Sequence, residues 1–153
     1  DLMTSCDLLI TSADCSFGIE EIHIGMTADV GTLQRLPKLM PPAIMNELAY
    51  TGRRFSAEEA LSWGLVNSVH PDRDTAFEAA MLLAQDIAAK SPLAIAGIKR
   101  AITYARDHTV SDSLDQIATW NAGQLRPEDL MKAISAKMAK QEAVFEDLLQ
   151  STL

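Results

Sequence analysis

The chain has 153 residues, the size of one domain with a sizeable core. Hydrophobic residues make up 48% and charged residues 22%, an ordinary globular composition, and 13 Lys+Arg against 21 Asp+Glu give a net charge of −8. That charge repels phosphate backbones and argues against nucleic acid as a partner, and no apolar run approaches the ~20 residues that span a bilayer.

The opening residues, "DLMTSCDLLITSADCSF", carry no initiator Met, no basic region and no signal-peptide pattern, so further sequence is expected before Asp1. Residues 1–30 hold two apolar runs of strand length, "DLLITS" and "EIHIGM". The spacing then lengthens to that of helices. "DVGTLQRLPKLM" predicts a short helix ended by Pro37, and "PPAIMNELAYTG" a helix opened by Pro41-Pro42 and stopped at Gly52. In "SAEEALSWG", Ser56 and Glu59 form a capping box and Gly64 terminates. "LVNSVHP" is the one later strand candidate. Residues 73–90 place Phe77, Ala80, Met81, Ala84, Ile87 and Ala88 on one face of a long helix. Pro92 begins another, with Ile95, Ile98 and Ile102 in its stripe; Ser111 caps a third; Pro127 opens a fourth, striped by Leu130, Ile134 and Met138 and continued by Phe145. These stripes need a partner surface that so few short strands can hardly supply. No internal repeat or low-complexity linker appears.

The chemistry-bearing residues have plain readings first. Glu20, Glu21 and Asp29 are threaded among Ile19, Ile22, Ile24, Met26 and Val30. A lone Glu such as Glu21 is usually a solvated acid. Asp29, next to a helix expected to begin near Val30, favours the positive end of the helix dipole. His23 among isoleucines reads as a satisfied core residue, and His70 and His108 read as loop residues. No histidine pair has metal-ligand spacing, so no metal is expected. Cys6 and Cys15 form no CxxC or zinc pattern and read as reduced, buried thiols. Arg53-Arg54 reads as a solvated turn before a helix cap.

The wording around the acids adds a resemblance. "D-L-x-x-x-C-D", "F-G-I-E-E-I-H-I-G", "A-D-V-G-T-L-Q-R-L-P" and "T-G-R-R-F-S-A-E-E-A-L-S-W-G-L-V-N-S-V", in this order, resemble the enoyl-CoA hydratase/isomerase (crotonase) family from Asp1 to at least Met138. Within it, "ADVGTLQRLPK" resembles the Δ3,5-Δ2,4-dienoyl-CoA isomerases; hydratases commonly carry Gly where Asp29 stands. The chain resembles the second half of a family member. The implied fold class is α/β: the C-terminal part of a crotonase-type ββα spiral, here mostly α-helical with a few short strands. The implied division is residues 1–72, the second half of the spiral core with the acids, and residues 73–153, a helical trimerisation region. Asp1-Leu2 matches the end of the family pattern GGGxDL, Glu21 matches the acid after a Phe-Gly-type strand, and Asp29 matches the third acid of the dienoyl-CoA isomerases. The resemblance places all three in the acyl pocket.

Shifting two conjugated double bonds requires a proton removed beside the thioester carbonyl and another delivered at the far end of the diene. Two carboxyl groups on opposite sides of the acyl chain can do this, one as base and one as acid. A dry surround suits both tasks, which accounts for acids threaded through core-like sequence. The enolate oxygen also needs two backbone N–H donors, which the family supplies from outside this chain or at its very edge. The resemblance implies an acyl-CoA substrate, no cofactor beyond the coenzyme A of that thioester, a role in fatty-acid oxidation, and a homotrimer or a hexamer built as a dimer of trimers. It leaves 2-enoyl-CoA hydratase as the nearest enzymatic neighbour. A second class is a catalytically inactive helical piece that only oligomerises; the isolated chain is expected to be inactive. Ser151-Thr152-Leu153 is similar to the peroxisomal S-K-L signal but lacks its basic residue, which points to a cytoplasmic, bacterial protein.

Overall fold

The structure, a computed structural model, describes residues 1–148. The chain divides into two units, Asp1–Met81 and the residues from Leu82 onward.

The first unit is built from very short pieces. Strand β1 (Ile10–Ser12) pairs in parallel with β4 (Ser68–His70), with Thr11 opposite Val69. The ladder continues at both ends: Asn67 N–H donates to the Leu9 carbonyl at 2.7 Å and Ala13 N–H to the His70 carbonyl at 2.8 Å. Strand β2 (Ser16–Phe17) pairs antiparallel with β3 (Phe55–Ser56). Helices α1 (Thr32–Arg35), α2 (Pro42–Thr51) and α3 (Ala57–Ser62) fill the connections. None of these pieces is long enough to persist alone, so the unit depends on non-local packing. Leu48 of α2 is fully buried; Met45, Leu36, Ile19 and Phe55 close around it. Phe17, Phe55 and Trp63 pack in series as tilted rings, with 5.4 Å between neighbouring ring centroids.

Several sequence expectations hold in detail. Pro42 opens α2 and Gly52 caps it in the left-handed region. The capping box of α3 is present: Glu59 N–H donates to Ser56 Oγ at 3.2 Å, and Ser56 N–H donates to Glu59 Oε2 at 2.9 Å. "EIHIGM" is not a strand. Glu21–Ile24 is a 3-10 turn, closed by Gly25 N–H donating to the Ile22 carbonyl and Met26 N–H to the Glu21 carbonyl. Its alternation buries nothing: Ile22, Ile24 and Met26 are all exposed.

In the second unit α5 (Pro92–Ala105) packs against α6 (Val110–Gln124), and α7 (Pro127–Ala139) follows; α4 (Arg73–Ala88) spans the division. Ser91 caps α5, accepting from Ala94 N–H. A Cβ on Gly97 would lie 2.6 Å from Trp120 Nε1, so the absence of a side chain there lets the indole approach α5. The cap of α6 is Thr109, which forms a capping box with Asp112; Ser111 lies inside the helix. A hydroxyl and an acid three residues apart satisfy the first amides, and Ser111 has no such partner downstream. The expected stripes are exposed, with Phe77, Met81, Ile98, Ile102, Leu130 and Met138 uncovered. No single helix among the described residues is long and apolar enough to cross a membrane.

Gly52 has φ +65°, and a Cβ there would lie 2.5 Å from His23 Nε2 and 2.7 Å from Ile22 Cγ2. Gly52→Ala is therefore expected to destabilise the protein by at least about 1–2 kcal/mol, seen as a lower thermal midpoint; an unchanged midpoint would refute this account of the turn. The Ser56 amide holds the Glu59 carboxyl below the ordinary glutamate range, with Arg53 helping. Because the folded value is the lower one, the cap's contribution is complete above the ordinary glutamate range. It is lost as pH falls through the folded value. Glu59→Gln keeps an acceptor and removes the charge, so it is expected to flatten that part of the acid limb of a melting-temperature profile. An acid limb identical to wild type would contradict the assignment.

Candidate functional site

Asp1 and Glu21 come together. Both line a cavity of about 60 Å³ walled by Phe17, Ile19, Leu36 and Phe55. Glu21, half-buried at the head of the 3-10 turn, also lines a cavity of about 370 Å³ whose walls include Ile22, Met26, Leu33, Met45 and Tyr50. Glu21 therefore lines both a small space and a larger, mainly apolar one. Asp29 is exposed and lines neither; it directly follows Thr27 and Ala28, which line the larger cavity. Asp29 does not start a helix. The N-cap of α1 is Gly31, and no side chain of the cap itself bonds the helix. The amide of Thr32, the first helical residue, donates instead to Asp1 Oδ1 at 3.0 Å, and the Thr32 hydroxyl bonds the same oxygen. The capping that the sequence suggests for Asp29 is carried by Asp1, across the fold.

Arg53-Arg54 is more than a solvated turn: both side chains, though partly exposed, are paired. Arg53 pairs with Glu47 of α2 at 2.6 Å and Glu59 of α3 at 3.0 Å, and lies 5.7 Å over the Trp63 ring. Arg54 pairs with Glu20 and donates to both the hydroxyl and the carbonyl of Ser16. Glu20 is the residue before Glu21, so Arg54 ties the head of the 3-10 turn to β2. His23 is exposed, not a core residue, with Nε2 3.0 Å from the Gly52 carbonyl. His70 ends β4 rather than lying in a loop and bonds Ser68 Oγ, while His108 stacks on Tyr104 at 3.6 Å.

Both cysteines are free, and both are exposed rather than buried. They sit in the connections flanking β1. Ser12 Oγ lies 3.2 Å from Cys15 Sγ, and this hydrogen bond lowers the thiol below its usual range. Among the described residues no group of three or more His, Cys, Asp or Glu is placed to hold a metal ion. A groove of about 640 Å³ between α5 and α6, lined by Arg100, Asp112, Asp115 and Trp120, contains none of the three candidate acids.

Thr32 and Arg35 were not singled out from sequence. Spaced three apart in "TLQR", they share one helix face, and both reach back to Asp1. That spacing was the available signal, but the partner lies 31 residues away from Thr32.

Residues 1–148 match the enoyl-CoA hydratase/isomerase family. The chain belongs to this family. Among curated relatives, it is 45% identical over 144 residues to the rat mitochondrial Δ(3,5)-Δ(2,4)-dienoyl-CoA isomerase, covering 94% of this chain and 44% of that protein. It is 41% identical over 148 residues to the Arabidopsis thaliana peroxisomal Δ(3,5)-Δ(2,4)-dienoyl-CoA isomerase, covering 97% of this chain and 53% of that protein. A solved enoyl-CoA hydratase from Mycobacterium marinum superposes with a TM-score of 0.88 at 34% identity, over 95% of this chain and 59% of that one. The chain thus spans about half the length of the curated relatives it matches. The fold is part of a crotonase-type fold, mostly helical with few strands. The relatives' names place them in mitochondria and peroxisomes, which overturns the cytoplasmic expectation. That expectation leaned on Thr152 in the last tripeptide, which lies outside the described residues, and one missing basic residue does not exclude other routes into an organelle.

Proposed function

We propose that the whole protein isomerises 3,5-dienoyl-CoA to 2,4-dienoyl-CoA in fatty-acid oxidation. In this reading the Asp29 carboxylate removes the C2 proton and the Glu21 carboxylic acid delivers one at C6. The electron pair of the C2–H bond passes into the thioester carbonyl, giving a trienolate. Its collapse re-forms the carbonyl and places double bonds at C2–C3 and C4–C5 as C6 takes the proton. Asp1 supports the charge and orientation of the pocket. The substrate brings its own coenzyme A, and no further cofactor is needed. The observation that carries the reading is the position of Glu21, in a mainly apolar cavity wall and beside a second acid, Asp1. The 45% identity to the rat dienoyl-CoA isomerase supports it. In this proposal residues 1–72 carry the acids and residues from 73 onward the assembly surface.

The test separates the two proton transfers in the whole protein. Asp29→Asn is expected to lower isomerisation, followed by the absorbance of the new conjugated diene, by about two orders of magnitude or more. It should also abolish deuterium uptake at C2 from heavy water. Glu21→Gln should retain that exchange while failing to complete the isomerisation. Near wild-type turnover in Asp29→Asn would eliminate the role given to Asp29. Exchange surviving in Asp29→Asn and vanishing in Glu21→Gln would reverse the two roles. The likeness to a solved enoyl-CoA hydratase favours a second reading, water addition to 2-enoyl-CoA. Assayed side by side, hydration outpacing isomerisation in the wild type would install it. An inert assembly piece would show neither activity.

For assembly, the uncovered faces of α4, α5 and α7 support a homotrimer or a dimer of trimers. On the apolar stripe of α4, Phe77 is 66% exposed and Met81 44%. Light scattering of the whole protein at micromolar concentration is expected to give three or six copies. A monomer would remove this part of the proposal.

A further inference from the structure

Arg35 closes α1 and has an ordinary explanation: a cation in the last turn of a helix suits the dipole there. Its donors do something else. Nη2 donates to the Val30 carbonyl at 2.9 Å, ahead of the helix start, and to the Asp1 carbonyl at 3.1 Å. Nε donates to Thr4 Oγ1 at 2.8 Å, and that hydroxyl donates to the Asp1 carbonyl at 2.8 Å. Thr4 is buried, while the two bonds from Nη2 lie at the surface. The guanidinium has folded back over Gly31: a Cβ on that glycine would lie 2.2 Å from Nη1. Gly31, at φ +101°, therefore serves the clamp twice, by making the turn and by leaving room for the fork.

We infer that Arg35 is a positioning residue that sets the distance between Asp1 and the loop carrying Asp29. The inference rests on the isomerase reading of Asp29 and Glu21. One planar group holds the backbone next to Asp29, at Val30, and the backbone of Asp1 itself. Thr32, one turn earlier on the same helix face, holds the Asp1 carboxylate. Together they fix Asp1 at both its carbonyl and its side chain. Asp29, which lies exposed in the loop, borrows its placement from the carbonyl of its neighbour. A Lys at this position keeps the charge and the stem but cannot present three donors in a fixed fork. Asp29 would then be free to move by an ångström or so, and misplacements of that size cost rate rather than binding.

The experiment is a double-mutant cycle in the whole protein. Arg35→Lys is expected to lower kcat by about ten- to a hundred-fold with KM for the dienoyl-CoA within about two-fold of wild type. In the Asp29→Asn background the same change should cost less than about three-fold, because the group it positions is already gone. Thr4→Val removes the Nε acceptor and leaves Arg35 in place. It is expected to give the same split at smaller size, and it carries the test if Arg35→Lys does not fold. A full, multiplying loss in the Asp29→Asn background would overturn the inference, since Arg35 would then act on the fold at large. So would wild-type kcat in both Arg35→Lys and Thr4→Val while Asp29→Asn alone is strongly impaired, and this pattern leaves the isomerase reading standing. A silent Asp29→Asn would instead fell the reading of Asp29 and the inference with it.

Discussion

The carboxylate of Asp1 accepts both the amide and the hydroxyl hydrogen of Thr32, thirty-one positions along the chain by the 3.0 Å amide contact. A four-residue helix cannot nucleate by itself, because the first turn fixes several dihedrals for one hydrogen bond. Helix α1 exists because Asp1 satisfies its first amide from outside and Leu36, immediately after it, is buried. The same bond brings the start of the chain against the wall that holds Glu21. Asp1, Thr32 and Glu21 all line the same small cavity.

Charge does comparable work elsewhere in the first unit. Arg53 joins α2 to α3 through Glu47 and Glu59, and Arg54 joins Glu20 to β2. These pairs are partly exposed, and each alone is worth little in water. Their value is geometric: a planar fork fixes direction as well as distance. Glu20 is held outward by Arg54, while Glu21, the next residue, lines the cavities. Two adjacent acids with identical chemistry thus have different surroundings, one paired with an arginine and one in a cavity wall.

The second unit follows a different rule. Its helices are long and striped, and α5 and α6 start at local caps, Ser91 and the Thr109–Asp112 box, so their existence needs little from the rest of the chain. What they lack is cover. Trp120 against Gly97, with Arg100 5.3 Å over the indole ring, closes one contact between α5 and α6. Most of the large apolar side chains on these helices stay exposed, a surface suited to further protein rather than water.

The sequence by itself determined the elements whose causes are local. The capping box of Ser56 and Glu59, the Pro42 start and Gly52 stop of α2, and the long helices after residue 73 all depend on neighbours within about one turn. It also determined the family, because motif wording survives where geometry cannot be read. Where it failed, the deciding partner was remote. "EIHIGM" alternates like a strand, but a strand needs another strand beside it, and Gly25 closes the run into a turn instead. Asp29 has the look of a helix cap, yet α1 starts later and takes its cap from Asp1. His23 has apolar neighbours in the chain and solvent in space. Only the tertiary structure decided that Arg35 reaches Asp1, Thr4 and Val30 at once, since hydropathy and spacing carry no information about which distant carbonyl a guanidinium will meet.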